Sequence, residues 1–415
     1  MRVKPYPIPF SMRPVIQKEI DDMLELGVIR PSNSPYAAPP VIVKKPDGSN
    51  RVCINFQKLN DVTVFDGEPM PNADDIFIAI KGKKFLSKAD LTKGYWQIQM
   101  EEESIPKTAF VVPGGVYECT RLPFGLKNSA AAFNRVMKKV LGNLKSVSCF
   151  IDDIVVYTDT WKEHVEVWRE LLRRLRKAGL TVKPSKCIIG VGEMDFLGHK
   201  VSCDVITPRK EKVDEILKVS PPTTKSQVRS FLGMVGYYQK FIPRYAEISK
   251  PLTDLTKGKQ PNHVIWGQSQ ESAFQDLKKA ISQCPILKIL DTSREMVVQT
   301  DASSEGLGAV LLQDYDGTLH PVRYLSRKLK DAERNYSTIE RECLAIVWAI
   351  DKLRVYLYGV EFVLLTDHKP LTYLSQKHYS NARVMRWAMF LQDWAFRIES
   401  IKGVDNVLAD YLSRA

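Results

Sequence analysis

Residues 147–158 read VSCFIDDIVVYT, an apolar run broken in its middle by two adjacent carboxylates, Asp152 and Asp153. β-Branched and aromatic residues stand on both sides, which predicts strand. Two acids buried inside a strand pair would be costly without compensation. The run is therefore expected to fold as two strands whose tight turn lifts the acids to a hairpin tip. An exposed Asp-Asp turn without further role is the plainer alternative. Helical patterns at 129–142 and 161–178 flank the run. Sheet and helices together predict an α+β domain.

Upstream, Asp90 ends another apolar strand, FLSKAD, and precedes LTKGYWQI. Three carboxylates that converge repel one another and raise one another's pKa. A divalent cation relieves this, and hard oxygen donors favour Mg²⁺, which keeps open positions for phosphates. Two such ions can activate a 3′-hydroxyl and stabilise a leaving pyrophosphate. Further upstream, VIVKK-PDGSN-RVCINF predicts a β-hairpin around Asp47-Gly48, and TAFVV-PGG-VYECTRLPF a second. The N-terminus is Pro-rich and extended, followed by a helix from Pro14 to Leu26.

Downstream, the pattern is helical from Pro208 to about Leu290. Thr224 and Gln227 fit a capping box, and Val228, Phe231, Leu232 and Val235 follow helical spacing. Another helix is expected over 270–282. A new strand, MVVQTD, marks a domain boundary near 291. Strands over 296–301 and 307–313, an Asp316-Gly317 turn, a strand, a helix over about 338–357, strands over 361–366 and 394–400 with a helix between them, and a short closing helix complete the chain. Gly306 and Gly308 would permit the first tight return. Four acids are spread over this part. Asp301 ends MVVQTD and Asp367 follows FVLLT. Glu342 borders the apolar stripe Ile339, Cys343, Ile346, Val347 and Ile350, whereas Glu340 pairs with Ser337 as a cap. Asp410 sits in NVLADYLSR. Singly, each of the four is better explained as surface charge or a cap.

The 415 residues carry 60 Lys+Arg and 48 Asp+Glu, net +12. The excess is confined to residues 1–290, with 44 cations against 31 acids; residues 291–415 hold 16 against 17. A basic domain beside a neutral one suggests a polyanionic partner, nucleic acid before membrane. Seven cysteines, the nearest pair 16 residues apart, exclude C-x-x-C zinc spacing and suit a reduced, intracellular protein. Neither a signal peptide nor an apolar run of about 18 residues is present, so no membrane span is expected.

Taken in order, these boxes resemble the reverse transcriptase and RNase H of gypsy-type LTR retrotransposons. Phe150-Ile151-Asp152-Asp153 resembles the aromatic-x-Asp-Asp box, and Asp90 the preceding catalytic aspartate. Leu122-Pro123-Phe124-Gly125-Leu126-Lys127-Asn128 is similar to the loop that packs on template and nucleotide, and Phe196-Leu197-Gly198-His199 to the primer grip. TDAS-x-x-G-x-G, TDHKPL and N-x-x-AD-x-LSR match the RNase H strings. The resemblance implies a right-hand polymerase, fingers and palm over 1–207 and helical thumb over 208–290. An RNase H-like mixed α/β domain over 291–415 follows, without a connection domain.

The same resemblance implies the roles. Asp90, Asp152 and Asp153, with the Leu91 carbonyl, would bind two Mg²⁺. Asp301, Glu342, Asp367 and Asp410 would bind two more for hybrid cleavage, with Mn²⁺ able to substitute at both sites. Lys45 and Arg51 would contact the triphosphate, and Phe124 and Gly125 template and nucleotide. Tyr95 would exclude a ribose 2′-hydroxyl, Lys186 would protonate pyrophosphate, and Phe196, Leu197 and Gly198 would hold the primer. Arg229, Lys240, Arg244 and Lys250 of the thumb would face the duplex phosphates. Departures from the family pattern are Asn55 for Asp, Gln57 for Arg, Ser129-Ala130 for Ala-Pro and Ser400 for Tyr or His. The last predicts weaker or differently tuned cleavage. His368 beside Asp367 reads as packing rather than ligand.

The expected substrates are a DNA duplex primer-template, an RNA/DNA hybrid and dNTPs; a homodimer is compatible with the resemblance. The chain reads as a piece of a longer polyprotein acting in cytoplasmic virus-like particles, with a product that acts in the nucleus. Alternatives are a domesticated, non-catalytic nucleic-acid-binding derivative and an RNA-templated RNA polymerase. All seven acids are present, which argues against the first. Tyr95 and the attached RNase H strings argue against the second.

Overall fold

A computed structural model describes residues 9–44, 50–258, 260–366 and 382–400. Lys45, Asp367, His368 and Asp410 lie outside the described residues, and Arg51 is described by its backbone alone. The chain divides into two compact units, Met1–Met194 and Asp195–Ala415.

In the first unit α1 (Arg13–Glu25) opens with Pro14 in its first turn, where a missing N–H costs no helical bond. It buries Ile16, Ile20 and Met23 along one face. After β1 (Ile29–Pro31), β2 (Pro40–Lys44) and β3 (Asn50–Ile54) pair antiparallel, forming the first hairpin expected from the sequence. Next come α2 (Gln57–Val62), α3 (Ala73–Ile80) and β4 (Phe85–Asp90). The second hairpin is β5 (Phe110–Val112) and β6 (Gly115–Cys119), Val112 opposite Gly115; β6 also pairs with β1.

The remaining elements are α4 (Ser129–Leu141), β7 (Val147–Phe150), β8 (Asp153–Thr158), α5 (Trp161–Lys177) and β9 (Ile188–Val191). α5 begins at Thr160, whose side chain accepts from the Glu163 N–H, and ends in Arg174, Arg176 and Lys177, the charges its C-terminal dipole favours. The four strands form an antiparallel sheet in the order β7-β8-β4-β9. Strands β8 and β4 are thus central, and Ala89, Ile154 and Val156 pack with Phe133, Met137 and Leu171 of the two helices.

The second unit carries a four-stranded sheet, β10 (Glu193–Phe196), β11 (His199–Ser202), β12 (Val205–Pro208) and β13 (Leu287–Lys288) in that order; the first two residues of β10 belong to the first unit. Between β12 and β13 run α6 (Lys210–Leu217), α7 (Lys225–Gly236), α8 (Tyr245–Ile248), α9 (Lys250–Leu255) and α10 (Gln268–Ser282). The expected capping box of Thr224 and Gln227 starts α7, and Val228, Phe231 and Val235 are fully buried. The stretch is not helical to its end: β13 returns the chain to β12, with Ile206 opposite Leu287.

The other part of this unit holds β14 (Met296–Ala302), β15 (Gly306–Tyr315), β16 (Thr318–Lys328), α11 (Thr338–Lys352), α12 (Arg354–Leu357), β17 (Phe362–Thr366), α13 (Ala382–Leu391) and β18 (Phe396–Ser400). The sheet order is β16-β15-β14-β17-β18, with β14 and β17 parallel and β17 and β18 parallel. β14 is buried on both faces because it is the centre of this sheet. Asp316 and Gly317, at φ +58° and +83°, make the expected two-residue turn. The helix expected over 338–357 breaks at Leu353. Its first apolar residue, Ile339, is 40% exposed; its buried residues start at Glu340, and the first apolar one is Cys343. Among the described residues no helix is long and apolar enough to cross a membrane.

Candidate active sites

The first acidic cluster is built by strand register. β4 and β8 pair antiparallel so that Asp90 lies directly opposite Asp153, and β7 and β8 close a two-residue hairpin with Phe150 opposite Asp153. Ile151 and Asp152 form the turn between them. Ile151 has φ +57°, a conformation a β-branched residue seldom adopts and that costs about 1–2 kcal/mol. The strain is held by packing of Ile151 against the core beneath the sheet. Gly94 leaves room alongside: a Cβ there would stand 3.1 Å from the Asp152 Cβ and crowd the turn.

Burial, and then the charges of Asp153 and Asp90, push the Asp152 carboxyl above its ordinary value; its own backbone N–H opposes them. Lys88 Nζ lies 2.9 Å from Asp153 Oδ1 and Lys186 Nζ 3.2 Å from Asp90 Oδ2. Two ammonium groups thus already compensate the acids, and the donors are carboxylate oxygens throughout, the kind a hard divalent cation takes. Among the described residues no three His, Cys, Asp or Glu side chains stand close enough to enclose an ion. No local pattern in the sequence marks Lys88, although a residue two before Asp90 on a strand shares its face.

The loop after β4 carries Tyr95, whose ring meets Phe124 (4.9 Å between centroids) and Phe133 (5.2 Å) edge-on. Burial, and then Asp152, raise its phenol pKa. Gln97, which the sequence did not single out, ties this loop down: its Nε2 donates to Thr92 O (2.6 Å) and Thr181 O (3.0 Å), and its Oε1 accepts from Thr181 N (2.7 Å). Leu91 is buried and bridges Val182.

Phe124 is 42% exposed and Gly125 has φ +95°. Asn60 of α2 holds their loop, its Nδ2 donating to Gly125 O (2.8 Å) and its Oδ1 accepting from Lys127 N (2.7 Å). Of the departures, Ser129 donates Oγ to Pro123 O at 2.8 Å, and Asn55 Oδ1 accepts from Gln57 N at 2.9 Å, a bond Asp would make as well.

Leu197 and Gly198 form the β10–β11 turn, at φ +46° and +72°. Tyr237 Oη donates to Leu197 O (2.7 Å) and Tyr238 Oη to Gly198 O (2.8 Å), while Phe196 is buried. Of the cations expected to face a duplex, Lys250 instead bonds Glu305, Arg244 pairs with Glu247 (3.1 Å), and Arg229 donates to Thr256 O (3.1 Å). Lys240 lies against the Phe241 ring. Three of these cations thus have partners within the protein, which spacing along a helix could not reveal.

In the second cluster Asp301 lies on β14 opposite Gly308 and is 3% exposed; Glu342 of α11 is 5% exposed. Two carboxylates so buried are costly unless compensated by bonds or a cation. The tight return after Asp301 is not made by glycine backbone freedom. Ser303 makes it, its N–H donating to Gly306 O (2.9 Å) and its Oγ accepting from Gly306 N (3.0 Å). Gly306 is needed instead because a Cβ would stand 3.1 Å from the Arg327 carbonyl. Ser400 lies beside Thr366 in the β17–β18 register. Glu340 is a cap as expected, accepting from Ser337 N at 2.8 Å.

Two family models match the chain: "Reverse transcriptase (RNA-dependent DNA polymerase)" over residues 43–201 and "RNase H-like domain found in reverse transcriptase" over 291–394. The chain is 41% identical to the retrovirus-related Pol polyprotein from transposon 297 of Drosophila melanogaster, over 99% of its own length and 39% of that polyprotein. To the corresponding polyprotein from transposon gypsy it is 36% identical, over 99% and 41%. Residues 43–201 form a reverse transcriptase domain and residues 291–394 an RNase H-like domain, similar to those of gypsy-type retrotransposon Pol polyproteins. The chain spans about two fifths of the length of these relatives. In structure it is similar to the foamy viral protease-reverse transcriptase in complex with double-stranded DNA (TM-score 0.84, 25% identity, 97% of this chain and 71% of that one). The same viral protein in complex with RNA/DNA hybrid gives TM-score 0.81, 25% identity, 97% of this chain and 55% of that one. Reverse transcriptase and RNase H-like domains are those of RNA-directed DNA polymerases and ribonucleases H, and domains of both kinds use divalent metal ions.

Proposed function

We propose that this chain copies RNA and DNA templates into DNA with Asp90, Asp152 and Asp153, and cuts the RNA strand of the resulting hybrid with Asp301, Glu342, Asp367 and Asp410. The observation that carries the first half is the opposition of Asp90 and Asp153 in register, with Asp152 at the adjoining hairpin tip. These carboxylates would hold Mg²⁺, two per site, with the Leu91 carbonyl as a further ligand at the first and Mn²⁺ as substitute. When bound, the ions lower the pKa of the attacking hydroxyl or water and stabilise the leaving oxygen. In the second half, Asp301 and Glu342 supply the two described carboxylates.

The other residues position and exclude. Tyr95, braced by Phe124 and Phe133, is the wall against a ribose 2′-hydroxyl and so selects dNTPs. Lys186, at the carboxylates, is placed to give a proton to departing pyrophosphate; Lys45 and Arg51 are its partners on the triphosphate. Leu197 and Gly198 offer a backbone turn to the primer, with Phe196 anchoring it in the core. Fingers and palm are assigned to 1–207, the thumb to 208–290 and RNase H to 291–415. Action in virus-like particles, a nuclear product and homodimer formation belong to the same proposal.

Asp152→Asn is expected to abolish primer extension with dNTPs and leave hybrid cleavage intact, and Asp410→Asn to do the reverse. Normal extension by Asp152→Asn removes the assignment of the polymerase site. Extension with NTPs as fast as with dNTPs removes Tyr95 as the sugar filter.

A further inference from the structure

The segment joining helices 208–290 to the RNase H-like sheet is built as structure and not as a tether. β13 pairs with β12, the Ile289 N–H donates to Asp204 O at 2.8 Å, and Ile289 and Leu290 are buried. Interdomain linkers are ordinarily exposed and polar. Asp291, the next residue, is held on both backbone groups by one side chain. Its N–H donates to Gln313 Oε1 at 2.9 Å, and Gln313 Nε2 donates to its carbonyl at 2.7 Å. Gln313 is fully buried on β15. Removing that amide would leave the Asp291 N–H without its acceptor, while the carbonyl would keep only the Arg294 N–H at 3.1 Å.

A second set of contacts lies away from this joint. Glu305, in the β14–β15 turn, bonds Lys250 at the start of α9 and lies 3.4 Å from Arg334. Lys328, at the end of β16, donates to Lys250 O at 3.3 Å and faces Asp254 at 3.7 Å. The Ala246 N–H donates to Ser326 Oγ at 3.0 Å. Ion pairs at this exposure are each weak, but they act at a lever arm from Gln313, and two separated attachments suppress rotation that either alone would allow.

We infer that Gln313 and Glu305 are positioning residues, which fasten the helical segment to the RNase H-like domain as one body and so fix where along a bound hybrid the RNA is cut. The inference rests on the function proposed above. Neither residue touches nucleic acid; each acts through the placement of Asp301 and Glu342 relative to the helices that hold the duplex.

The test uses the full chain with two readouts. Hydrogen exchange at the Ile289 and Asp291 amides reports the joint without any catalysis. The distribution of RNA cuts, counted from the primer 3′ end on a labelled hybrid, reports the consequence. The native chain should protect both amides and give a narrow band of cuts. Gln313→Leu should speed Asp291 exchange about tenfold or more, as loss of a hydrogen bond implies, and spread the cuts over several positions. Glu305→Lys should spread the cuts with extension rates unchanged, and Lys250→Glu added to it should narrow them again. Rapid exchange in the native chain overturns the inference, as does a narrow band in Glu305→Lys. Should Gln313→Leu not fold, the charge pair and its reversal decide. If the native chain neither extends nor cuts, the proposed function fails, and exchange alone judges the joint.

Discussion

At the scale of single residues, His164 sets a pH limit on the first unit. It is fully buried, with Nε2 2.5 Å from Ser87 Oγ and Nδ1 2.8 Å from Thr158 Oγ1, so one imidazole joins α5 to β4 and β8. Gly190 N donates to the same Ser87 oxygen at 2.9 Å and brings in β9. Burial lowers the His164 pKa, against a weaker upward pull from Glu163. A histidine with a folded pKa below its unfolded value of about 6.5 contributes fully above that value and loses its contribution as pH falls through it towards the folded pKa. Urea midpoints should therefore fall between pH 7.5 and 5.5 more steeply for the native chain than for His164→Gln. Parallel profiles would remove His164 as the cause. His164→Ala should cost about 2–3 kcal/mol at pH 7.5 through lost bonds and volume. Lys186 presents a different case. If it is the proton donor, Lys186→Gln should slow single-turnover extension by about 100-fold, the low end for a general acid, with little change in dNTP affinity. An unchanged rate would leave it as a mere counter-charge of Asp90.

Elements were the scale at which the sequence spoke most clearly. VSCFIDDIVVYT alone contains the hairpin, because apolar runs on either side of two charges leave few other ways to fold. Capping boxes at Thr224 and Ser337 were legible from two residues each, since the bonds they make are local. What was hidden is what depends on tertiary register. Lys88, Gln97, Asn60 and Gln313 are polar residues whose partners lie far along the chain, and no local pattern marks them. β13 is too short, at two residues, to show a periodicity, and the pairing of Lys250 is hidden because its partner Glu305 is 55 residues away. Ile339 misled for the opposite reason, an apolar residue in the right period that the first turn of α11 leaves exposed. Asn60 offers an element-scale test. It fastens α2 to the loop of Phe124 and Gly125 through two bonds, so Asn60→Ala should raise the KM for dNTP several-fold, to about 10-fold, with a smaller change in kcat. A loss of about 1–2 kcal/mol in stability should accompany it. Unchanged KM would mean that the loop is held without α2.

For the whole molecule, charge sets how the chain meets nucleic acid. The net charge of residues 1–290 suggests a long phosphate track, yet many of those cations are engaged within the protein. Arg135 binds Asp66, Lys138 binds Glu68, Arg173 and Arg174 share Glu170, and Arg209 and Lys212 bind Glu211 and Glu215. A guanidinium in such a pair releases fewer counterions from DNA than a free one, since its acid must first be displaced. The number of phosphates neutralised should then be about four to six, below what the formal excess implies. At a slope of about −0.9 per contact, affinity for a duplex should fall roughly 150- to 2,000-fold between 50 and 200 mM salt, and equally for unrelated sequences. Equilibrium binding of two duplexes of different sequence across that range measures both points. A loss beyond about 10⁵-fold would mean that the internal pairs open onto phosphate, and a flat profile would mean that backbone N–H groups and apolar contacts carry the affinity. Asp66→Asn distinguishes these further. It leaves Arg135, whose pairing with Asp66 holds that carboxyl below its usual value, with only the longer contact to Glu68 at 3.7 Å, and should steepen the slope by up to about one contact if Arg135 lies on the duplex path.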